Sequence, residues 1–271
     1  MVDFICGRRP RVVRLLAALL AMGCRAPSSD PPFVQANDNR LAAGRLRRDT
    51  LHLQLEVRLA RWHPQDDSGP SVDAPAFAEV GKAPQIPGPL IRVKRGTWIA
   101  LRLRNSLADS TLTVHGLATH PTAEGDSLTL APGEERVLNF AAGEPGTYLY
   151  RAVAGTVDWD KREREQLAGA FIIDSSASAP TDRVFVLNIW GEPADSGAYR
   201  NALAINGKSW PYTERVDAMI GDSVHWRVVN ATIRPHPMHL HGFYYRIDAY
   251  GDGRRDVLYA DSLRRRVVTQ V

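Results

Sequence analysis

The chain has 271 residues, of which 44% are hydrophobic and 24% charged, a globular composition that excludes wholesale disorder, collagen and coiled coil. No apolar run reaches the roughly 18 residues that a membrane-spanning helix needs. The only cysteines, Cys6 and Cys24, lie near the N-terminus, which removes a disulfide scaffold, a thiolate zinc site and a cysteine nucleophile from the folded body. The formal charge of +4 is concentrated ahead of that body, because Arg8, Arg9, Arg11 and Arg14 face only Asp3 in the first 24 residues. The remainder is close to neutral and carries no electrostatic footprint for nucleic acid.

In chain order, residues 1–24 read as an export signal. A positive stretch, Arg8-Arg9-Pro-Arg11, precedes the short apolar run Leu15–Met22, which ends at Gly23-Cys24. That order of charged, apolar and small residues is the secretory pattern. Ala21-Met22-Gly23-Cys24 also resembles a bacterial lipobox, which makes Cys24 a lipid-anchor position; Arg8-Arg9 resembles a twin-arginine signal loosely. Residues 25–44 read as a polar linker opening on Pro and Ser. The expected location is exported, periplasmic or on the outer surface, with membrane contact only through Cys24.

Leu51, Leu53, Leu55, Val57 and Leu59 alternate with His52, Gln54, Glu56 and Arg58. Period 2 over nine residues predicts a half-buried strand with those five apolar residues on one face. Further strands are predicted at 90–93, 97–103, 128–130, 137–140, 146–150, 170–173, 184–190, 223–229, 243–247 and 267–271. Pro87-Gly-Pro89, Pro132-Gly133, Pro145-Gly146, Asn206-Gly207 and Asp252-Gly253 punctuate them as turns. One short helix is predicted around 159–167, and Arg264-Arg265-Arg266 reads as a solvated strand or edge. Short strands at close spacing with Gly/Pro punctuation predict an all-β protein made of sandwiches. The small polar stretch 175–180 marks a boundary between a domain at 45–178 and a second at 181–271.

One motif stands out. His236-Pro-Met-His239-Leu-His241-Gly242 holds three of the eight histidines in six residues. Residues two apart on a strand share a face, so His239 and His241 are predicted to present two imidazoles to one site, while His236 has the opposite parity. Imidazole suits copper, zinc and iron, and spacing alone does not choose among them. Three histidines satisfied within the core are the alternative reading.

At these residues the chain resembles the multicopper oxidases, built from plastocyanin-like, or cupredoxin, domains. Ile86-Pro-Gly-Pro89-Leu-Ile-Arg-Val-Lys-Arg-Gly96 and Leu103-Arg-Asn105-Ser-Leu107 look like the opening of the family's first domain. Gly146-Thr-Tyr-Leu-Tyr150 and Gln166-Leu-Ala-Gly169-Ala-Phe-Ile-Ile173 look like its end. Ile205-Asn-Gly207, Gly221-Asp-Ser-Val224 and Arg227-Val-Val-Asn230 precede the histidine motif as they do in the family's copper-bearing last domain. The resemblance covers residues 45–271. It implies two Greek-key cupredoxin sandwiches, the second incomplete, with copper as cofactor and a small-molecule or metal-ion reductant and dioxygen as partners. It implies a type 1 copper ligand at His236, a type 2 ligand at His239 and a type 3 ligand at His241. Electrons would pass from substrate through type 1 copper to a trinuclear cluster that reduces dioxygen to water.

The departures are as specific as the match. The family's first H-x-H-G reads Thr113-Val-His115-Gly116 here, and its second H-x-H reads Arg151-Ala-Val153. Guanidinium stays protonated and offers no lone pair to a metal, so only His115 survives of four expected first-domain ligands. His120 matches no family ligand and reads as a loop residue. The family's downstream H-C-H run has no counterpart in the sequence, and without a thiolate no blue-copper band is expected. The second domain stops in mid-sandwich, which suggests a fragment or a degenerate member. The resemblance implies that the two histidine strands face one another, so the reading predicts a mononuclear copper site of His115, His239 and His241, with His236 turned toward an incomplete type 1 position. A packed, non-ligating His115 is the alternative. The leading function is a copper oxidoreductase of this type, against a non-enzymatic copper-binding or electron-transfer protein and a metal-free structural pair. Four methionines are too few to suggest a dedicated cuprous-ion site.

Overall fold

A computed structural model describes residues 30–118, 126–155, 164–175, 181–193, 199–251, 256–264 and 267–268. The signal reading, the proposed lipid position Cys24, His120 and most of the 175–180 stretch lie outside these residues.

The strands run in chain order as β1 (Gln35–Ala36), β2 (Arg45–Arg47), β3 (Thr50–Trp62), β4 (Val72–Glu79), β5 (Gln85–Ile86), β6 (Ile91–Lys94), β7 (Trp98–Asn105), β8 (Leu112–His115), β9 (Ser127–Leu130), β10 (Glu135–Ala141), β11 (Gly146–Ala154) and β12 (Ala168–Asp174). They continue as β13 (Arg183–Pro193), β14 (Tyr199–Ile205), β15 (Trp226–Asn230), β16 (Ala249–Gly251) and β17 (Asp256–Leu258), followed by a four-residue helix, α1 (Asp261–Arg264). The chain is all-β and cupredoxin-like, and α1 is the only helix among the described residues.

The first sandwich stacks two sheets. One runs β1-β5-β4-β3-β7-β10 with β2 beside β3; the other runs β6-β12-β11-β8-β9. Alternation dictates what lies between them. Leu53, Leu55, Val57, Phe77, Leu101 and Leu103 from the first sheet meet Ile91, Leu112, Val114, Tyr150 and Phe171 from the second. The Tyr150 hydroxyl donates to the Pro89 carbonyl at 2.6 Å, which satisfies a fully buried phenol. Burial pushes that phenol well above its ordinary pKa.

The described residues of the second sandwich form a three-stranded sheet β14-β13-β15 and a two-stranded ribbon β16-β17. One face of its three-stranded sheet is closed against the first sandwich. Val184, Val186, Val229 and Ala231 pack on Leu90, which directly precedes β6, and on Ala168, Ala170 and Ile172 from the outer face of β12. Trp190, Ala202 and Ala204 pack on Ala60, Trp62, Ala74, Ala76 and Ile86.

That second contact corrects one expectation. Leu51, Leu53, Leu55 and Val57 are buried, but Leu59 is 45% exposed while Ala60 and Trp62 are fully buried. The strand does not change phase. It runs out from above the first core, so its odd-numbered face reaches solvent as its even-numbered face slides beneath β13 and β14.

Three further expectations change. Of the helix predicted at 159–167, the described part, residues 164–167, is a bridge at Arg164 followed by a turn. Residues 243–247 form no strand and contribute one isolated bridge, Tyr245 to Val268. Arg264 closes α1 rather than lying on a strand edge.

Candidate metal centre

Two stretches carry the predicted ligands. The first is the outer face of β8, β9 and β11, the face turned away from the core. Antiparallel register sets Arg151 opposite His115 and His115 opposite Ser127; the next row is Val153, Thr113 and Thr129. Directly opposed side chains on one face have Cβ atoms roughly 5 Å apart. The four positions at which the family resemblance expects imidazoles therefore form one compact square, and here the square holds Thr113, His115, Arg151 and Val153. All four are half-buried.

His115 sits in an electropositive, partly desolvated place. Burial lowers its pKa below the ordinary imidazole value, the Arg151 guanidinium lowers it further, and Asp126 opposes them. Its Nδ1 atom is buried without a hydrogen-bond partner. One carboxylate oxygen of Asp126 accepts from the Ala118 amide at 2.9 Å.

The second stretch follows β15. Asn230 Oδ1 accepts from the Thr232 amide at 3.0 Å and from the Thr232 hydroxyl at 2.9 Å, while Asn230 Nδ2 donates to the Arg234 carbonyl at 2.8 Å. This is an Asx turn, a local competitor of the strand that ends it. The Thr232 hydroxyl then lies 2.8 Å from His236 Nε2. Glu165, buried on the first sandwich, accepts from the Ile233 amide at 3.2 Å.

The histidine motif is not a regular strand. His239 lies at an isolated bridge position, and His241-Gly242 forms a turn in which Gly242 takes φ 75°. The two imidazoles nevertheless come together, with ring centroids 4.6 Å apart and planes at 79°. Both residues are exposed, so a small molecule has direct access. The Tyr245 hydroxyl donates to the Met238 carbonyl at 2.8 Å, which pins the segment between His236 and His239.

The structure thus brings His239 and His241 together, turns His236 toward Thr232, and leaves His115 on the β8 face. Among the described residues no three His, Cys, Asp or Glu side chains group as a metal site, so the predicted set of His115, His239 and His241 is not gathered within this chain. The donor chemistry agrees only in part with copper. Two adjacent accessible imidazoles suit it; a square with a guanidinium, a hydroxyl and an isopropyl group in place of three imidazoles does not. Sequence reasoning missed Glu165 and Thr232. Asn230-x-Thr232 carried a turn signal, whereas nothing local to Glu165 announces its partner 68 residues away.

Comparison with known proteins matches residues 78–178 to one multicopper oxidase domain family and residues 180–271 to another. The chain is 26% identical over 218 residues to a probable nitrite reductase-hydroxylamine oxidoreductase fusion protein of Kuenenia stuttgartiensis, covering 71% of this chain and 24% of that protein. It is 31% identical over 135 residues to the copper-containing nitrite reductase of Alcaligenes faecalis, covering 48% of this chain and 33% of the relative. The matched part therefore spans a third or less of these relatives' own length. Among solved structures, the multicopper oxidase mgLAC superposes with a TM-score of 0.60 at 21% identity, covering 81% of this chain and 71% of that one. The blue copper oxidase of Nitrosomonas europaea gives 0.58 at 19% identity, with coverages of 82% and 71%. At these identities the superpositions speak to the fold alone.

Proposed function

Because the chain belongs to the multicopper oxidase family, we propose that it is a copper-dependent oxidoreductase whose metal is held by His239 and His241. The observation that carries this reading is the pair of imidazoles 4.6 Å apart in an exposed turn. Bound copper would supply one-electron exchange between a small-molecule or metal-ion reductant and dioxygen. The chain's own groups prepare the place. Thr232 takes up His236 Nε2, Tyr245 fixes the Met238 carbonyl, and Glu165 holds the Ile233 amide so that the loop enters the motif in one position.

His115 is assigned no copper in this reading. The Arg151 guanidinium, paired in register with His115, opposes a cation there electrostatically. The loss of three first-domain imidazole positions favours a second reading, a copper-binding or electron-transfer protein without oxidase turnover. Export of the chain, with residues 1–24 removed or lipidated at Cys24, belongs to the same proposal; cell fractionation that leaves the uncleaved chain in the cytosol rejects it.

The experiment is a calorimetric copper titration with parallel measurement of dioxygen uptake. The reading predicts about one tightly bound copper per chain, lost in His239→Ala and in His241→Ala and kept in His115→Ala. Copper binding with no oxygen uptake on any reductant selects the second reading. No stoichiometric copper leaves a structural cupredoxin pair.

A further inference from the structure

We propose that the outer face formed by Thr113, His115, Arg151 and Ser127 is an anion subsite that takes a small carboxylate-like oxyanion. The inference goes beyond the copper site and uses different residues.

Four observations carry it. Arg151 is half-buried, and among the described residues its guanidinium has no hydrogen bond or ion pair. A partly desolvated guanidinium without a partner is costly, and an ionised oxygen ligand relieves that cost. Second, the register sets Arg151, His115 and Ser127 side by side in one row, with Thr113 and Thr129 in the next, so that fork, imidazole and hydroxyl donors line one surface. The planar guanidinium fork matches the two oxygens of a carboxylate. Third, His115 Nδ1 is buried and unpartnered, so no hydrogen bond at that nitrogen fixes the tautomer of the ring. Fourth, of the two charges that act on His115, the Arg151 guanidinium outweighs the Asp126 carboxylate, one oxygen of which accepts from the Ala118 amide at 2.9 Å. The substitution of Arg151 for an imidazole thus changes the sign of the ligand this face accepts.

The test uses the full chain, stripped of metal and titrated with sodium formate at constant ionic strength. The imidazole signals of His115 and the Nε–H signal of Arg151 are followed by NMR. The proposal predicts saturable shifts of both, at least tenfold weaker formate binding in Arg151→Gln, and an intermediate affinity in Arg151→Lys, which keeps the charge but loses the fork. Arg151→His restores the imidazole the family resemblance expects; it is predicted to lose formate binding, with the fold checked by circular dichroism. Shifts that follow ionic strength without saturating overturn the proposal, as does formate binding by Arg151→Gln at wild-type affinity. The titration contains no copper, so its outcome is independent of whether His239 and His241 bind the metal.

Discussion

Glu165 Oε1 accepts a hydrogen bond from the Ile233 amide at 3.2 Å, which joins a buried carboxylate of the first sandwich to the loop that leads into the histidine motif. Glu165 is itself held from the other side. Its amide donates to the Ile189 carbonyl at 2.9 Å and its carbonyl accepts from Asn188 Nδ2 at 3.0 Å. Strand β13 therefore fixes Glu165, and Glu165 fixes the loop. Glu165→Leu removes the acceptor and strands a donor, which is expected to cost about 1–3 kcal/mol. It should also broaden the copper EPR spectrum, as the loop loses its single position. Glu165→Gln keeps an acceptor oxygen and should restore a sharp spectrum at a cost below about 1 kcal/mol. Equal spectra for the Leu and Gln variants would show that Glu165 serves stability alone.

Asp182 supports the same junction electrostatically. It accepts from Arg92 Nη1 at 2.7 Å and from Arg227 Nε, while Arg92 also holds Asp174 with two bonds of 2.8 Å. Arg92 lies on β6 and Arg227 on β15, so the network spans both sandwiches. Burial acts to raise the pKa of Asp182, but the hydrogen bonds and charges of the two arginines outweigh it and the net shift is downward. A carboxylate lowered in the folded state contributes stability above its unfolded value near ~3.9, and that contribution is lost as pH falls through the folded value. Asp182→Asn is expected to cost about 2–3 kcal/mol at pH 7 and to flatten the acid limb of stability below about pH 4. Urea denaturation at several pH values measures both; an unchanged acid limb in the variant would assign acid sensitivity to other groups.

Gly207 has no room for a side chain. Its φ is 83°, and a Cβ would overlap the Ile86 carbonyl oxygen. Its carbonyl accepts from Trp62 Nε1 at 2.9 Å, and neighbouring Asn206 bonds Val184, Val186 and Asn39. Gly207→Ala therefore costs about 4 kcal/mol or prevents folding. Gly251→Ala, where nothing lies within 4 Å of the added carbon, should change stability by less than about 0.5 kcal/mol. Thermal denaturation of the two variants distinguishes a local clash from general intolerance at glycine.

The sequence was legible where alternation reports a single environment. Leu51 to Val57 declares its buried face because one core covers it throughout. Leu59, Ala60 and Trp62 mislead because the strand passes from one core to another, and alternation cannot say on which side the second core lies. Strand β4 is hard to read because Pro75 and the three alanines Ala74, Ala76 and Ala78 carry little strand signal, yet it pairs with β3 from Leu55 to Trp62. Segment 243–247 is rich in strand formers and has only a single bridge, since propensity without a paired neighbour makes no sheet. At the site, the pairing of His239 with His241 was readable from spacing, although a turn rather than a strand produces it. The isolation of His115 and the reach of Glu165 depend on how the sandwiches are arranged, which local pattern does not encode.

The most direct test of the account is anomalous diffraction at the copper edge from crystals of the chain grown with one equivalent of copper. The account predicts a single strong peak within bonding distance of the imidazole nitrogens of His239 and His241, roughly 2 Å from each, and no peak on the face of Thr113, His115, Arg151 and Val153. A copper peak bound to His115 beside Arg151 would contradict it.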